Sequence, residues 1–254
     1  MVSYFEAYDG ERLAFHEVGA GRTLVLIHGF FSTARVNWIA YGHAQTIADR
    51  GYRVVMPDLR GHGDSAKPHD PQRYQGDVLA DDGLALVHHL GLTGSTDYDL
   101  GGYSLGARTT ARMLVRGATP GRAVLGGMGL EGITRTGGRG EHFREVLTST
   151  EEFPRYSPQW KSRSFLRKVG GDPVALLQVL ESFQDTPGGD LSSIVQPTLV
   201  VCGEQDLDNG SPQELADALP NGQLEVVPGD HMSAVADKAL GRAIADFLGD
   251  PDDL

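Results

Sequence analysis

Apolar positions along this chain fall into two kinds of run. Near the start, Tyr4 to Tyr8 and Arg12 to Glu17 alternate in polarity on either side of Asp9-Gly10, the pattern of a hairpin with one covered face. Further on, the runs are short and continuous: Thr23 to Ile27, Arg53 to Met56, Tyr98 to Gly102, Ala123 to Met128, Thr198 to Cys202 and Gln223 to Val227. Strands that read this way are covered on both faces, as in a parallel sheet. Helical spacing separates them, in Val36 to Arg50, Asp77 to Leu90, Leu105 to Arg116, Pro212 to Leu219 and Ser233 to Leu248. The alternation predicts an α/β fold, an open and mostly parallel sheet with helices on both faces.

One stretch breaks the alternation. From Glu131 to Val195 no strand is legible, only short helical patterns punctuated by Gly137-Gly138-Arg139-Gly140 and Pro187-Gly188-Gly189-Asp190. An insertion between two strands, at the edge where open sheets bind ligands, reads as a lid. The chain therefore divides into a core, residues 1–130 and 197–254, and a helical cap, residues 131–196.

Charge narrows the partners. The net charge of -12 disfavours nucleic acid and an anionic membrane surface. No segment approaches the roughly 20 apolar residues of a spanning helix. Met1 to Gly10 carries Glu6 and Asp9 and no apolar run, so no signal peptide is expected and the location is read as cytoplasmic. Cys202 is the one cysteine, which excludes an internal disulfide, and its flanks Thr198 to Val201 read as a buried strand.

The chemistry centres on Gly102-Tyr103-Ser104-Leu105-Gly106, between a strand and a helix. By composition alone, a G-x-S-x-G is expected roughly 0.2 times in such a chain, so the context has to carry the weight. A serine hydroxyl is a weak nucleophile and must stand on a sharp turn where a base reaches it; glycines on both sides give the turn room. The Leu105 N–H, at the helix start, has no intrahelical acceptor and can stabilise an oxyanion. His28-Gly29-Phe30-Phe31 follows another strand directly and supplies a second donor, the Phe30 N–H, with Phe31 as the alternative.

Nine histidines compete for the role of base. His231 stands in a loop between the last strand and the last helix, the position a base needs. His28 and His62 read as structural, and His88 and His89 as surface or packing residues. Asp206, in Gly203-Glu204-Gln205-Asp206 after the strand ending at Cys202, is placed to orient the imidazole; Asp208, Glu204 and Glu131 are the alternatives. Asp58, His62 and Asp64 could approach one another, but without a paired histidine motif no metal is expected. Neither a dinucleotide fingerprint nor a P-loop is present, and no cofactor is expected.

With these residues placed, the chain resembles the α/β-hydrolase superfamily over nearly its whole length. The resemblance rests on His28-Gly29, Asp58 to Ser65, Gly102 to Gly106, Gly203 to Asp206 and Gly229 to His231, in the order Ser104, Asp206, His231. It implies an eight-stranded sheet with one antiparallel strand, a cap, and acylation of Ser104 followed by hydrolysis through a water activated by His231. Haloalkane dehalogenases and epoxide hydrolases share the Arg60 to Ser65 style of loop but carry aspartate where this chain has Ser104, which argues against both chemistries. The reading is a serine hydrolase of small to medium carboxylic esters. Carbon–carbon bond or lactone hydrolysis, a perhydrolase or haloperoxidase-like activity, and a small-molecule receptor on a hydrolase scaffold are the alternatives. Phe31, Tyr103, Met128, Phe143 and Trp160 are the expected pocket residues, in keeping with mostly apolar pockets.

Overall fold

In the computed structural model, which describes residues 2–135 and 137–251, both kinds of apolar run become strands of one eight-stranded sheet. These are β1 (Val2–Glu6), β2 (Arg12–Gly19), β3 (Arg22–Ile27), β4 (Tyr52–Pro57), β5 (Tyr98–Tyr103), β6 (Ala123–Gly126), β7 (Thr198–Gly203) and β8 (Gly222–Val227). Their spatial order is β1-β2-β4-β3-β5-β6-β7-β8. β2 runs against both its neighbours, and every pairing from β4 to β8 is parallel. The sheet thus has the eight strands, one of them antiparallel, that the resemblance implied.

The continuous runs are apolar throughout because each side of the sheet is covered. Val25, Ile27, Leu100, Leu125 and Val200 pack against α2 (Val78–His89), α3 (Leu105–Val115) and the later helix Pro212–Ala218. Leu24, Leu26, Val54, Val124 and Val201 face the other way, onto α1 (His43–Ala48) and the C-terminal helix Lys238–Leu248. Among the described residues, β6 and β7 are joined by the helices α4 (Leu130–Thr134), α5 (Gly140–Thr148), α6 (Pro158–Val169) and α7 (Pro173–Glu181), then a 3-10 turn at Gly188–Ser193. Arg163 ties two of them together. Its guanidinium donates to the carbonyls of Val146, Ser149 and Glu151, beyond reach of the α5 ladder, and lies 4.2 Å from the Phe153 ring centroid. Among the described residues, no helix is long and apolar enough to cross a membrane.

Three boundaries differ from the sequence reading. The first strand ends at Glu6, because the chain already turns at Ala7, whose N–H donates to the Glu11 carbonyl and whose carbonyl accepts the Gly10 N–H, both at 2.9 Å. The single helix expected over 36–50 is instead a π-helical turn, Arg35–Ile39, and then α1; Gly42 separates them with φ +81°. The last helix starts at Lys238, since Asp230 accepts the N–H groups of Met232 and Ser233 and holds that stretch in a turn. Asp237 then caps the helix by accepting from the Ala239 N–H at 2.8 Å.

Arg60 is 1% exposed. It donates to Asp82 at 2.9 and 2.7 Å, to Asp9, and to the Arg73 carbonyl at 2.7 Å, joining the hairpin loop, the loop after β4 and α2. Replacing one partner of a buried pair strands the other charge, at about 3–5 kcal/mol. Arg60→Met is therefore expected to lower the midpoint of thermal unfolding by on the order of 10 °C. A melting curve within about 2 °C of wild type would remove Arg60 from the stabilising framework.

Candidate active site

Ser104 joins β5 to α3 with φ +56° and ψ -116°, a sparsely populated region for a residue with a side chain. Its two glycines make that turn feasible. A Cβ on Gly102 would collide with the Gly106 backbone, and one on Gly106 with the carbonyls of Ile27 and His28. The Ser104 N–H donates to the Gly126 carbonyl at 2.8 Å, and its own carbonyl accepts from Arg108 at 3.1 Å. The turn is thus held by the neighbouring strand on one side and the new helix on the other.

His231 follows β8 in a loop, where its carbonyl accepts the Tyr103 hydroxyl at 2.9 Å. Its Nδ1 lies 2.8 Å from Asp206 Oδ2, and its Nε2 lies 3.0 Å from Ser104 Oγ. An ionised carboxylate can only accept, so Nδ1 carries the ring proton and the Nε2 lone pair faces the serine hydroxyl. Asp206 follows β7 and is buried, with Oδ1 accepting the Asp208 N–H at 3.3 Å. Three residues from three strand ends therefore form one hydrogen-bonded relay at the C-terminal edge of the parallel strands.

A sequence model described as the alpha/beta hydrolase family matches residues 24–242, taking in every member of that relay. The chain belongs to the alpha/beta hydrolase family. It is similar to the Non-heme haloperoxidase of Rhodococcus erythropolis, at 28% identity over 90% of this chain and 92% of that protein. The crystal structure of a hydrolase from Pseudomonas aeruginosa superposes with a TM-score of 0.79 at 25% identity, covering 98% of both chains. An esterase from Exiguobacterium antarcticum matches with a TM-score of 0.79 and 18% identity over 98% of this chain and 99% of that one, a likeness of fold alone. The similarity to Bifunctional epoxide hydrolase 2 of Rattus norvegicus, 30% identical over 90 residues, involves 35% of this chain and only 16% of that protein's length.

Within this alpha/beta hydrolase, the segment after β3 runs beside the serine; a Cβ on Gly29 would lie 3.3 Å from that of Ser104. The Gly29 N–H is taken by Asn37 Oδ1 at 3.1 Å and the Ser32 N–H by the Gly29 carbonyl at 3.1 Å. The N–H groups of Phe30 and Leu105 have no acceptor among the described residues. Phe31, the alternative donor, takes a positive φ of 61°, and its N–H likewise has no acceptor among the described residues.

Among the histidines read as structural or packing residues, His28, His89 and His62 have structural partners. His28 donates from Nδ1 to the Gly29 carbonyl at 2.8 Å and accepts the Leu59 N–H on Nε2 at 3.0 Å, and burial pushes its pKa down. His89 packs its ring against Phe5 and Phe15. His62 donates from Nδ1 to the Arg60 carbonyl at 3.0 Å; burial, and then nearby His28, push its pKa down to about 3 from 6.5. The unfolded chain therefore takes up a proton on His62 that the folded chain refuses. Stability present above about 6.5 is lost as the pH falls toward about 3. Unfolding free energies from urea titrations at neutral to acid pH are expected to fall less steeply for His62→Asn, by up to about 1.4 kcal/mol per pH unit. Equal slopes would show that His62 is not held neutral.

Asp58 links the segment after β3 to the loop after β4. Its oxygens accept the Ala34 N–H at 2.8 Å and the Asp64 N–H at 2.9 Å. Burial opposes its charge, but these donors with His16 and His28 outweigh it and hold its pKa below the usual carboxylate range. The sequence reading brought Asp58 and Asp64 toward His62. It is His16 that meets them, at 3.4 and 3.8 Å, because His62 is turned to the Arg60 carbonyl. The ligand atoms of His16, Asp58 and Asp64, and those of Asp206, Asp208 and His231, are close enough to share a cation. In the first group both Asp58 oxygens already accept backbone N–H groups, and in the second Asp206 Oδ2 already accepts from His231. Cys202 donates to the Met128 carbonyl at 3.3 Å, and burial, with Asp206 nearby, pushes its thiol up to about 12, so it is no nucleophile.

Ser104 lies between two cavities. The larger, about 380 Å³, is walled by Phe30, Met128, Phe143, Leu180 and Phe183, with Arg108, Glu131, Arg135, Arg139, Asp208 and Asn209 as its polar members. The smaller, about 70 Å³, lies on the other side, among Gly29, Ser32, Tyr41, Tyr103, Phe165 and His231. Of the expected pocket residues, Met128 and Phe143 line the larger cavity and Tyr103 the smaller. The other two are placed elsewhere. Phe31 is buried with Val146, Leu166 and Leu176, pinning the inserted helices to the core. Trp160, in the first turn of α6, packs at 5.4 Å on the exposed Tyr156 ring. The reading from sequence overlooked Arg108; its one trace there is a cation one helical turn beyond the serine.

Proposed function

We propose that this alpha/beta hydrolase cleaves small to medium carboxylic esters through an acyl-enzyme on Ser104. The observation that carries the reading is the relay itself: Ser104 Oγ at 3.0 Å from His231 Nε2, and His231 Nδ1 at 2.8 Å from the buried Asp206. His231 accepts the serine proton as Oγ bonds to the ester carbonyl carbon. The tetrahedral oxyanion is held by the N–H groups of Phe30 and Leu105, the latter at the positive end of α3. His231 then returns the proton to the alkoxide oxygen as the carbon–oxygen bond breaks. A water, deprotonated by the same nitrogen, attacks the acyl carbon and releases the acid and Ser104. Asp206 keeps the ring in its tautomer and stabilises the imidazolium.

The cavity supports the substrate size. At about 380 Å³ it is near the lower end of ligand pockets, roughly 300–1,000 Å³, and its walls are largely aromatic and aliphatic. Residues 131–196 act as the cap, since Phe143, Leu180 and Phe183 come from that segment and face the serine across the cavity. A second reading has support from the haloperoxidase of Rhodococcus erythropolis, similar along 90% of this chain. In it, hydrogen peroxide replaces water in the second step, and the products are a peracid and free Ser104. The test is a p-nitrophenyl ester series from acetate to long acyl chains, with and without hydrogen peroxide. Turnover of short and medium esters supports the hydrolase, and peracid formation outpacing hydrolysis favours the second reading. A folded protein that cleaves none of them overturns both.

A further inference from the structure

Arg108 lines the larger cavity, one helical turn beyond Ser104, and stands in the first turn of α3. It is 9% exposed, and its Nη1 is buried without a hydrogen-bond partner among the described residues. Its burial and its place in the helix both disfavour its charge. Burial pushes its pKa down to about 10, with only partial compensation from Asp185, and the positive end of α3 repels a cation in its first turn. It remains charged at neutral pH all the same. Its guanidinium lies 5.5 Å from the Phe183 ring centroid, a contact that orients the planar fork without using its donors. A buried arginine donor without an acceptor is costly, and Asp185 repays that cost only in part.

The rest of the cavity's charges balance, so its excess positive charge is that of Arg108. Its charged members are Arg108, Arg135 and Arg139 against Glu131 and Asp208, an excess of one positive charge in a chain of net charge -12. Both carboxylates have partners: Glu131 lies 3.8 Å from Arg135, and Asp208 lies 2.8 Å from Arg139. Arg108 is the cavity cation that no carboxylate among the described residues meets within 4 Å.

Resting on the ester reading and extending it, we propose that the substrate carries a carboxylate, which Arg108 binds while Ser104 attacks an ester carbonyl on the same molecule. Half-esters of short dicarboxylic acids are the substrate class. Their hydrolysis consumes one water and releases an alcohol and a dicarboxylate. One helical turn, about 5.4 Å, separates the two anchoring residues along α3, so the carboxylate and the ester lie a short chain apart. The guanidinium fork matches a carboxylate in two parallel hydrogen bonds.

The experiment compares mono-p-nitrophenyl succinate, glutarate and adipate with neutral p-nitrophenyl esters of equal chain length, in wild type, Arg108→Gln and Arg108→Lys. A second measurement titrates free succinate, glutarate and adipate into the Ser104→Ala protein by calorimetry, with and without Arg108→Gln. The ratio of kcat/KM for charged over neutral ester is expected to fall roughly 10- to 100-fold in Arg108→Gln, chiefly through KM. Arg108→Lys, which keeps the charge and loses the fork, recovers part of the ratio, and circular dichroism shows that both variants fold. At least one diacid binds Ser104→Ala and is lost with Arg108→Gln. An unchanged ratio together with no diacid binding, in a protein that still cleaves neutral esters, overturns the carboxylate site and leaves the esterase standing. Diacid binding that depends on Arg108 in a protein that cleaves no ester overturns the esterase and keeps the site.

Discussion

Ser104→Ala is expected to abolish ester hydrolysis, with kcat falling on the order of 10⁴- to 10⁶-fold, while the protein stays folded. The size of the effect follows from what the hydroxyl does. Without Oγ there is no acyl-enzyme, and His231 Nε2 loses the partner it holds at 3.0 Å. What remains is the positioning of substrate beside the N–H groups of Phe30 and Leu105, which alone leaves a small residual rate over water. Alanine meets the same backbone requirement as serine at φ +56°, so unfolding is expected to change little. Initial rates on the preferred p-nitrophenyl ester, beside a melting curve, separate the two quantities. A variant that kept more than roughly a hundredth of the wild-type rate would show that Ser104 is not the nucleophile.

Asp206→Asn is expected to cost about 10⁴-fold in kcat with little change in KM. The reason lies in the second oxygen. Asp206 Oδ1 accepts the Asp208 N–H at 3.3 Å, so an asparagine keeps its carbonyl oxygen there and turns its NH₂ toward His231. That group donates to Nδ1 where the carboxylate accepted from it at 2.8 Å. The ring must then carry its proton on Nε2, which leaves no lone pair for the serine. The substrate cavities, formed by other residues, keep their shape, and so KM holds. A loss below about tenfold would mean that His231 is oriented by something else, and Glu204 or Asp208 would be tested next.

The strands were legible because their covered faces require unbroken apolar runs, and β5, with the serine turn after it, was legible because packing around Gly102 and Gly106 admits no side chain. Where the element boundaries slipped, a turn intervened. The helix expected over 36–50 breaks at Gly42, and Asp230 holds the start of the expected last helix in a turn. Phe31 and Trp160 belong to the same aromatic set as Phe143, and nothing in their local sequence separates a ring that packs among the inserted helices from one that faces the cavity.

The sequence by itself determined the sheet, the alternation of strand and helix, and the residues whose chemistry meets at the strand ends. Each depends on short-range sterics, on apolar periodicity, or on which side chains can act as nucleophile, base and acid. Only the tertiary structure decided that Ser104 and His231, 127 positions apart, stand at hydrogen-bonding distance. It also decided which aromatics wall the cavity, and that Arg108 is buried there with an unpartnered donor. Those outcomes depend on how separate elements settle against one another, and a partner's absence, unlike a residue's type, can be read only in three dimensions.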